Sequence, residues 1–238
     1  MDNINTPEVF GLHANAEIGY YTKAAKDMWL HLVELQPQTN ESGGAMSRDQ
    51  FIENAASEIL KKLPKVFDLD KIRKKFGIDI SPTTVVLLQE LERFNKLISS
   101  MFRSLTTLKR ALKGEVGMSN ELDDLARSLF NGLLPTMWRK LAPATKKTLG
   151  NWIDHFERRY NQYNFWQSES EPNVMWLSGL HIPESYLTAL VQATCRKNGW
   201  PLDRSTLYTQ VTQWMSPDDV TERAHQGNKF YFYLSRKI

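Results

Sequence analysis

Residues 81–113 read SPTTVVLLQELERFNKLISSMFRSLTTLKRALK, and the apolar positions among them decide the fold class. Leu87, Leu91, Phe94, Ile98, Met101, Leu105, Leu108 and Leu112 recur in alternating steps of four and three, the heptad spacing of a seam along one helix. Ser81 and Pro82 open that helix, because serine caps and a proline in the first turn gives up no hydrogen bond the helix could have made. Gly114 to Gly117 close it. At roughly 1.5–3 kcal/mol per large apolar side chain buried, the seam carries on the order of 12–24 kcal/mol as an upper bound. It must therefore lie against neighbours along its length, supplied by the same molecule or by a partner.

Reading upstream from this spine, Asp79 to Thr84 has the character of a hinge, and a domain boundary is placed here. Before it, Leu69, Ile72 and Phe76 form a short helix ending at Gly77. Ser47-Arg48-Asp49-Gln50 has the capping-box spacing and starts a helix whose face is Ile52, Ala56, Ile59 and Leu63, stopped by Pro64. Gln36 to Met46, with Pro37, Gly43 and Gly44, reads as a loop. Ile18, Tyr21, Ala25, Met28, Leu32 and Leu35 lie on one face of an earlier helix, with Asn15 as its expected cap.

Downstream, Ser119 caps a helix with the face Leu122, Leu125, Ala126, Leu129 and Phe130, broken by Gly132 and Pro135. A further helix is expected from about Ala144 through Trp152, Phe156, Tyr160 and Tyr163. Val174-Met175-Trp176-Leu177 fits a buried strand or extended segment, and Ile182-Pro183 starts a helix ending at Asn198-Gly199. Two strand-like stretches follow, Leu207 to Trp214 and Phe230 to Leu234. They could pair with each other only marginally, since an isolated hairpin seldom holds in water. Residues 215 to 238 are accordingly expected to be poorly ordered or loosely docked. The fold class is mainly α: two helical bundles, about seven helices, and small β content near the C-terminus.

The chain has 238 residues, 41% apolar and 24% charged, enough for one or two packed domains. No run approaches the ~20 apolar residues of a membrane span, and Met1 to Asn5 lacks a signal-peptide start. A single cysteine, Cys195, fits a reducing compartment. The formal charge of +3, from 30 basic and 27 acidic residues, is too balanced for a dedicated nucleic-acid or acidic-membrane binder. Composition thus describes a globular, intracellular protein.

The chemistry-bearing residues do not assemble into a catalytic pattern. None of the 12 glycines stands in a phosphate loop or a dinucleotide fingerprint, and no serine lies in a nucleophile elbow. His13, His31, His155, His181 and His225 have no i, i+4 pair, so a metal site is not expected. Cys195 with His181 could act as nucleophile and base, but a buried or half-buried structural thiol is the stronger reading. Asp123-Asp124 and Asp218-Asp219 suit helix starts and turns. Lys109-Arg110 with Lys113, Arg139-Lys140, Lys146-Lys147 and Arg158-Arg159 could track phosphates, but interleaved acids favour solvated faces or protein contacts. The seven tryptophans are expected mostly as core or interface anchors. No catalytic, cofactor-binding or metal-ligating residue is assigned.

Several stretches resemble one family. Pro7-Glu8-Val9-Phe10-Gly11-Leu12-His13-Ala14-Asn15-Ala16-Glu17-Ile18 is similar to the segment after the sixth AAA+ module of dynein heavy chains. Val86-Leu87-Leu88-Gln89-Glu90-Leu91-Glu92-Arg93-Phe94-Asn95-Lys96-Leu97 resembles the start of the dynein C-terminal domain. Met118-Ser119-Asn120-Glu121-Leu122, Leu134-Pro135-Thr136-Met137-Trp138 and Trp176-Leu177-Ser178-Gly179 follow in the family's order and approximate spacing. Within the family, Leu177 to Leu207 looks most like the inner-arm axonemal heavy chains.

The resemblance implies an AAA+ lid-like helical domain over residues 1–78 and the helical part of the C-terminal domain over 82–227. Residues 228–238 form an atypical tail, because likeness is expected to stop after Gly227, where the family continues into a glycine-rich stretch and a small β-barrel. It also implies that the chain is a fragment of a minus-end-directed microtubule motor of cilia and flagella. Its partner would be the AAA+ ring of the parent heavy chain, with other dynein subunits and microtubules reached only through that parent, and with no nucleic acid or membrane. No cofactor is expected in this chain, since ATP and magnesium would bind upstream modules. An independent helical scaffold or protein-interaction module is the alternative.

Overall fold

The computed structural model describes residues 13, 15–34, 47–172, 174–207 and 231–233, with the backbone alone at 17, 31–34 and 231–233. The chain divides into two compact units, Met1–Ala45 and Met46–Ile238. In the first, α1 spans Asn15–Glu34. Of its expected apolar face, Ile18 is 65% exposed and Tyr21, Ala25 and Met28 are exposed as well, while the Leu32 side chain and Leu35 lie outside the described residues. An amphipathic stripe states which side of a helix favours burial and not what covers it. Asn15 is not the cap either. It is the first helical residue, and its backbone N–H donates to His13 Nδ1 at 3.1 Å.

The second unit is built around the spine helix. In sequence order it contains α2 (Arg48–Lys62), α3 (Leu69–Phe76), α4 (Pro82–Leu112), α5 (Asn120–Phe130), α6 (Thr136–Arg139), α7 (Leu149–Ser168), β1 (Val174–Trp176), α8 (Pro183–Asn198) and β2 (Tyr231–Tyr233), with 3₁₀ turns at Leu177–Gly179 and Leu202–Arg204. The fold is mainly α, as the spacing of its apolar residues requires. The start signals operate as expected. Ser47 Oγ accepts from Gln50 N–H and the Gln50 side chain accepts from Ser47 N–H. Ser81 and Ser119 cap α4 and α5 through the N–H groups of Thr84 and Leu122. Gly199, at φ 66°, ends α8 in the left-handed conformation that glycine adopts without strain.

The α4 seam is buried from Leu87 through Leu108, while Leu112 is half-buried. More of α4 is covered than the seam alone, because Val86, Leu88, Leu97 and the polar Thr83, Thr84, Glu90 and Ser104 are buried too. The reason is that α4 is packed on several sides: α2, α3, α5, α6, α7 and α8 all touch it. Residues from α2 and α3 belong to the same apolar cluster as those from α4 to α8, so the core is continuous across the expected hinge. Aromatic rings thread this core from α6 to α4. Trp138 stacks on Trp152 at 6.1 Å, Trp152 on Phe156 at 5.7 Å, and Phe156 on Phe94 at 4.8 Å between centroids.

Two elements depart from expectation. The segment between Pro135 and Ala144 contains a one-turn helix, α6, and α7 begins at Leu149 rather than near Ala144. Two donors at the approach to α7 are bonded outside any helix: Lys147 N–H reaches Thr145 Oγ1 at 3.2 Å, and Leu149 N–H reaches the Gly132 carbonyl at 2.9 Å. The second concerns the strands. Within Phe230 to Leu234, β2 pairs in parallel with β1, Val174 opposite Tyr231 and Trp176 opposite Tyr233. Residues 208–214, and all of 215–238 apart from β2, lie outside the described residues.

Candidate functional site

The most concentrated polar chemistry in the second unit gathers on Glu90, in the middle of the spine. Its position is three residues after Leu87 and four before Phe94, so helical geometry turns its carboxylate into the core. It is 1% exposed. Four donors meet it. Oε2 accepts from the Tyr163 hydroxyl at 2.7 Å and from His181 N–H at 2.6 Å, and Oε1 accepts from Ile182 N–H at 3.1 Å and Arg93 Nη1 at 3.3 Å. These donors come from α7, from the approach to α8 and from α4 itself. One carboxylate thus ties three parts of the fold together. Charge-assisted bonds of this kind are stronger than neutral ones, and a low-dielectric surrounding makes their loss costly.

Arg159, one turn before Tyr163 on α7, lies beside this group and is 7% exposed. Burial lowers its guanidinium from the ordinary value, with Tyr163 and Glu90 opposing. Burial also pushes the Tyr163 hydroxyl well above the usual tyrosine range, and the neighbouring Glu90 charge adds to the rise. At its half-buried position, the His181 ring is held below the ordinary histidine value by burial. Arg159 therefore does not belong to a solvated basic face, as its pairing with Arg158 suggested. Arg158 does not lie free in solvent either, since its guanidinium sits 4.5 Å from the Trp176 ring centroid.

Trp176 is held by the next latch. The Gln162 side chain makes a two-way clamp on its backbone, accepting from Trp176 N–H at 2.8 Å and donating to its carbonyl at 3.3 Å. The indole lies so close to the backbone of Gly179 that a Cβ there would overlap it, 2.8 Å from Cζ3. Glycine at 179 is thus required by close approach, and the Gly179 carbonyl is itself 3.2 Å from the Tyr163 hydroxyl. A matching clamp fixes the other side of the spine: Asn95 accepts from Phe67 N–H at 2.8 Å and donates to Phe67 O at 2.7 Å. Glu171 accepts from Thr83 Oγ1 at 3.1 Å and from the Tyr186 hydroxyl at 2.6 Å. Lys75, at the end of α3, donates to the carbonyls of Gln167 and Ser168 at the end of α7, which has no basic residue in its own last turn.

The residues weighed from sequence are distributed differently. Cys195 is buried in α8, the structural position expected of it. Asp123 is in the first turn of α5 and pairs with Arg127 at 2.8 Å. Arg110 pairs with Glu115 at 3.1 Å. Trp138, Trp152, Trp166 and Trp176 are core anchors, while Trp29 and Trp200 are exposed; Trp214, His225, Asp218 and Asp219 lie outside the described residues. Among the described residues, no three His, Cys, Asp or Glu side chains group as a metal site. Glu90 was legible only as an acid on the apolar face of a heptad helix, and its partners on α7 and before α8 lie more than seventy residues away.

A long helix latched on both sides by polar side chains defines a helical domain built around one spine. The protein belongs to the dynein heavy chain family: a family model of the C-terminal domain of dynein heavy chains matches residues 22–232, reaching somewhat past Gly227. It is 70% identical over 223 residues to human dynein axonemal heavy chain 10. Over 224 residues it is 55% identical to the dynein-1-alpha heavy chain of the flagellar inner arm I1 complex of Chlamydomonas reinhardtii. The flagellar outer-arm dynein beta chain of that alga is 39% identical over 225 residues. These matches take in 93–94% of the sequence but only 5% of each relative's length.

Proposed function

We propose that the protein acts as the C-terminal supporting region of an axonemal dynein heavy chain in cilia or flagella, a part of a minus-end-directed microtubule motor with no catalytic centre of its own. The 70% identity to an axonemal heavy chain across nearly all of its length carries this reading. Helices α1 to α3 would contribute lid-like packing on the last AAA+ module. The spine α4 and helices α5 to α8 would brace the ring and transmit or limit its movements. Partners are then the AAA+ ring of the parent, with dynein subunits and microtubules engaged only through it and no nucleic acid or membrane involved. ATP and magnesium belong to other modules of that parent.

The rigidity of the latched spine suits this role, since a brace transmits movement only if its own elements do not slide. An axonemal heavy chain whose equivalent region is replaced by residues 1–238 should drive ATP-dependent microtubule gliding, whereas the same motor with that region deleted should be impaired. Gliding no better than that of the deletion would overturn the proposal. Purified alone, the 238-residue protein should not turn over ATP above a mock preparation.

A further inference from the structure

A small cavity lies against the Glu90 latch, bounded by Glu90, Arg93, Leu141, Arg159, Tyr163 and His181, with Phe94 and Leu97 completing its apolar side. Its volume is about 10 Å³. Arg159 is among its lining residues and is more than nine-tenths buried, and its Nε–H has no hydrogen-bond acceptor among the described residues. Nearly all buried donors in folded proteins are paired, so an orphan of this kind, on a charged group, points to a ligand that the protein does not itself supply.

We propose that this cavity is a binding site for one structural water molecule, which accepts from Arg159 Nε–H and donates to the Tyr163 oxygen beside the Glu90 carboxylate. Size selects the ligand. About one water-sized volume is the threshold for a single internal water, and a carboxylate, a phosphate or a hydrated metal ion is too large. Chemistry agrees with size. Water both accepts from a guanidinium and donates to an oxygen, and the Tyr163 hydroxyl oxygen, which donates to Glu90, keeps lone pairs with which to accept. Glu90 Oε1 and Oε2 each accept two bonds from the protein, which fills the carboxylate and leaves the Tyr163 oxygen as the acceptor for the water's own hydrogen. The water makes Arg159 a member of the latch and gives the buried positive charge a link to the negative one without direct contact. Arg159 is then a positioning residue for the α4–α7 contact.

A charged alternative is distinguished by experiment. A halide would also accept from Arg159, but it cannot donate to the Tyr163 oxygen and would sit next to a carboxylate that repels it. In the 238-residue protein labelled with ¹⁵N, the Arg159 Nε–H resonance, assigned by its disappearance in Arg159→Lys, should show a cross-peak to water with the sign of a long-lived bound molecule. A crystal structure of the same protein should show one peak of water density within hydrogen-bond distance of Nε. Absence of both, with Nε–H bonded to a protein oxygen, would overturn the site. An anomalous peak at the same place after bromide soaking would overturn water as its ligand.

Discussion

At the scale of single residues, Glu90 shows how one polar group can matter more than its neighbours on the heptad seam. A leucine of the seam contributes burial in proportion to its area, whereas the Glu90 carboxylate is stabilised only while its donors remain in place. Glu90→Gln replaces an acceptor oxygen with an NH₂ that faces other donors, and it leaves Arg159 buried without a counter-charge. A loss of about 3 kcal/mol in stability is expected, read by urea denaturation. Tyr163 supplies a test with a defined pH sign. Its folded-state value lies well above that of the unfolded state, and Tyr186 is raised too, through burial first and then Glu171. Above pH ~10 the unfolded state releases these protons and the folded state keeps them, so stability falls as pH rises, by about 1.4 kcal/mol per pH unit for each tyrosine. Tyr163→Phe should make that alkaline decline shallower, leaving the share of Tyr186; an unchanged slope would show that Tyr163 ionises freely in the folded protein.

At the scale of elements, the helices are defined by local signals and positioned by remote ones. The capping box at Ser47, the Ser81-Pro82 start and the Gly199 end each involve residues within four positions of one another, which is why spacing alone revealed them. The start of α7 shows the limit. Aromatic periodicity allowed it to begin near Ala144, but the Leu149 N–H bond to Gly132 O holds the preceding segment out of the helix. Between elements, side-chain amides clamp backbone that has no regular partner, as Asn95 does for Phe67 and Gln162 for Trp176. Asn95→Ala removes two such bonds and leaves the Phe67 N–H and carbonyl unpaired in a partly buried place. It should cost about 2 kcal/mol and raise amide exchange at Phe67 above that of α5, measured by hydrogen exchange. Equal protection in the variant would mean that packing, and not the clamp, holds the connection between α2 and α3.

At the scale of the molecule, α2 and α3 share one apolar cluster with α4 to α8, and Lys75 bonds the far end of α7. Helices joined through one core unfold together, so the unit Met46–Ile238 should lose circular dichroism and tryptophan fluorescence in a single coincident transition. Two separated transitions would instead show that the segments before and after Gly77 to Thr84 are independent bundles. The pattern of apolar residues by itself determined that the fold is mainly helical, where most helices begin and end, and that the segment from Pro82 to Leu112 is the spine, because these are consequences of spacing within a few turns. The order of short motifs along the sequence also identified its family. Only the tertiary structure decided that β2 lies parallel to β1 and that Glu90, Arg159, Tyr163 and the backbone of His181 meet. The physical reason is the same in each case: periodicity tells which face of its element a residue occupies, but the partner that satisfies a buried charge, a strand edge or an apolar stripe comes from a distant segment whose approach leaves no mark on local sequence.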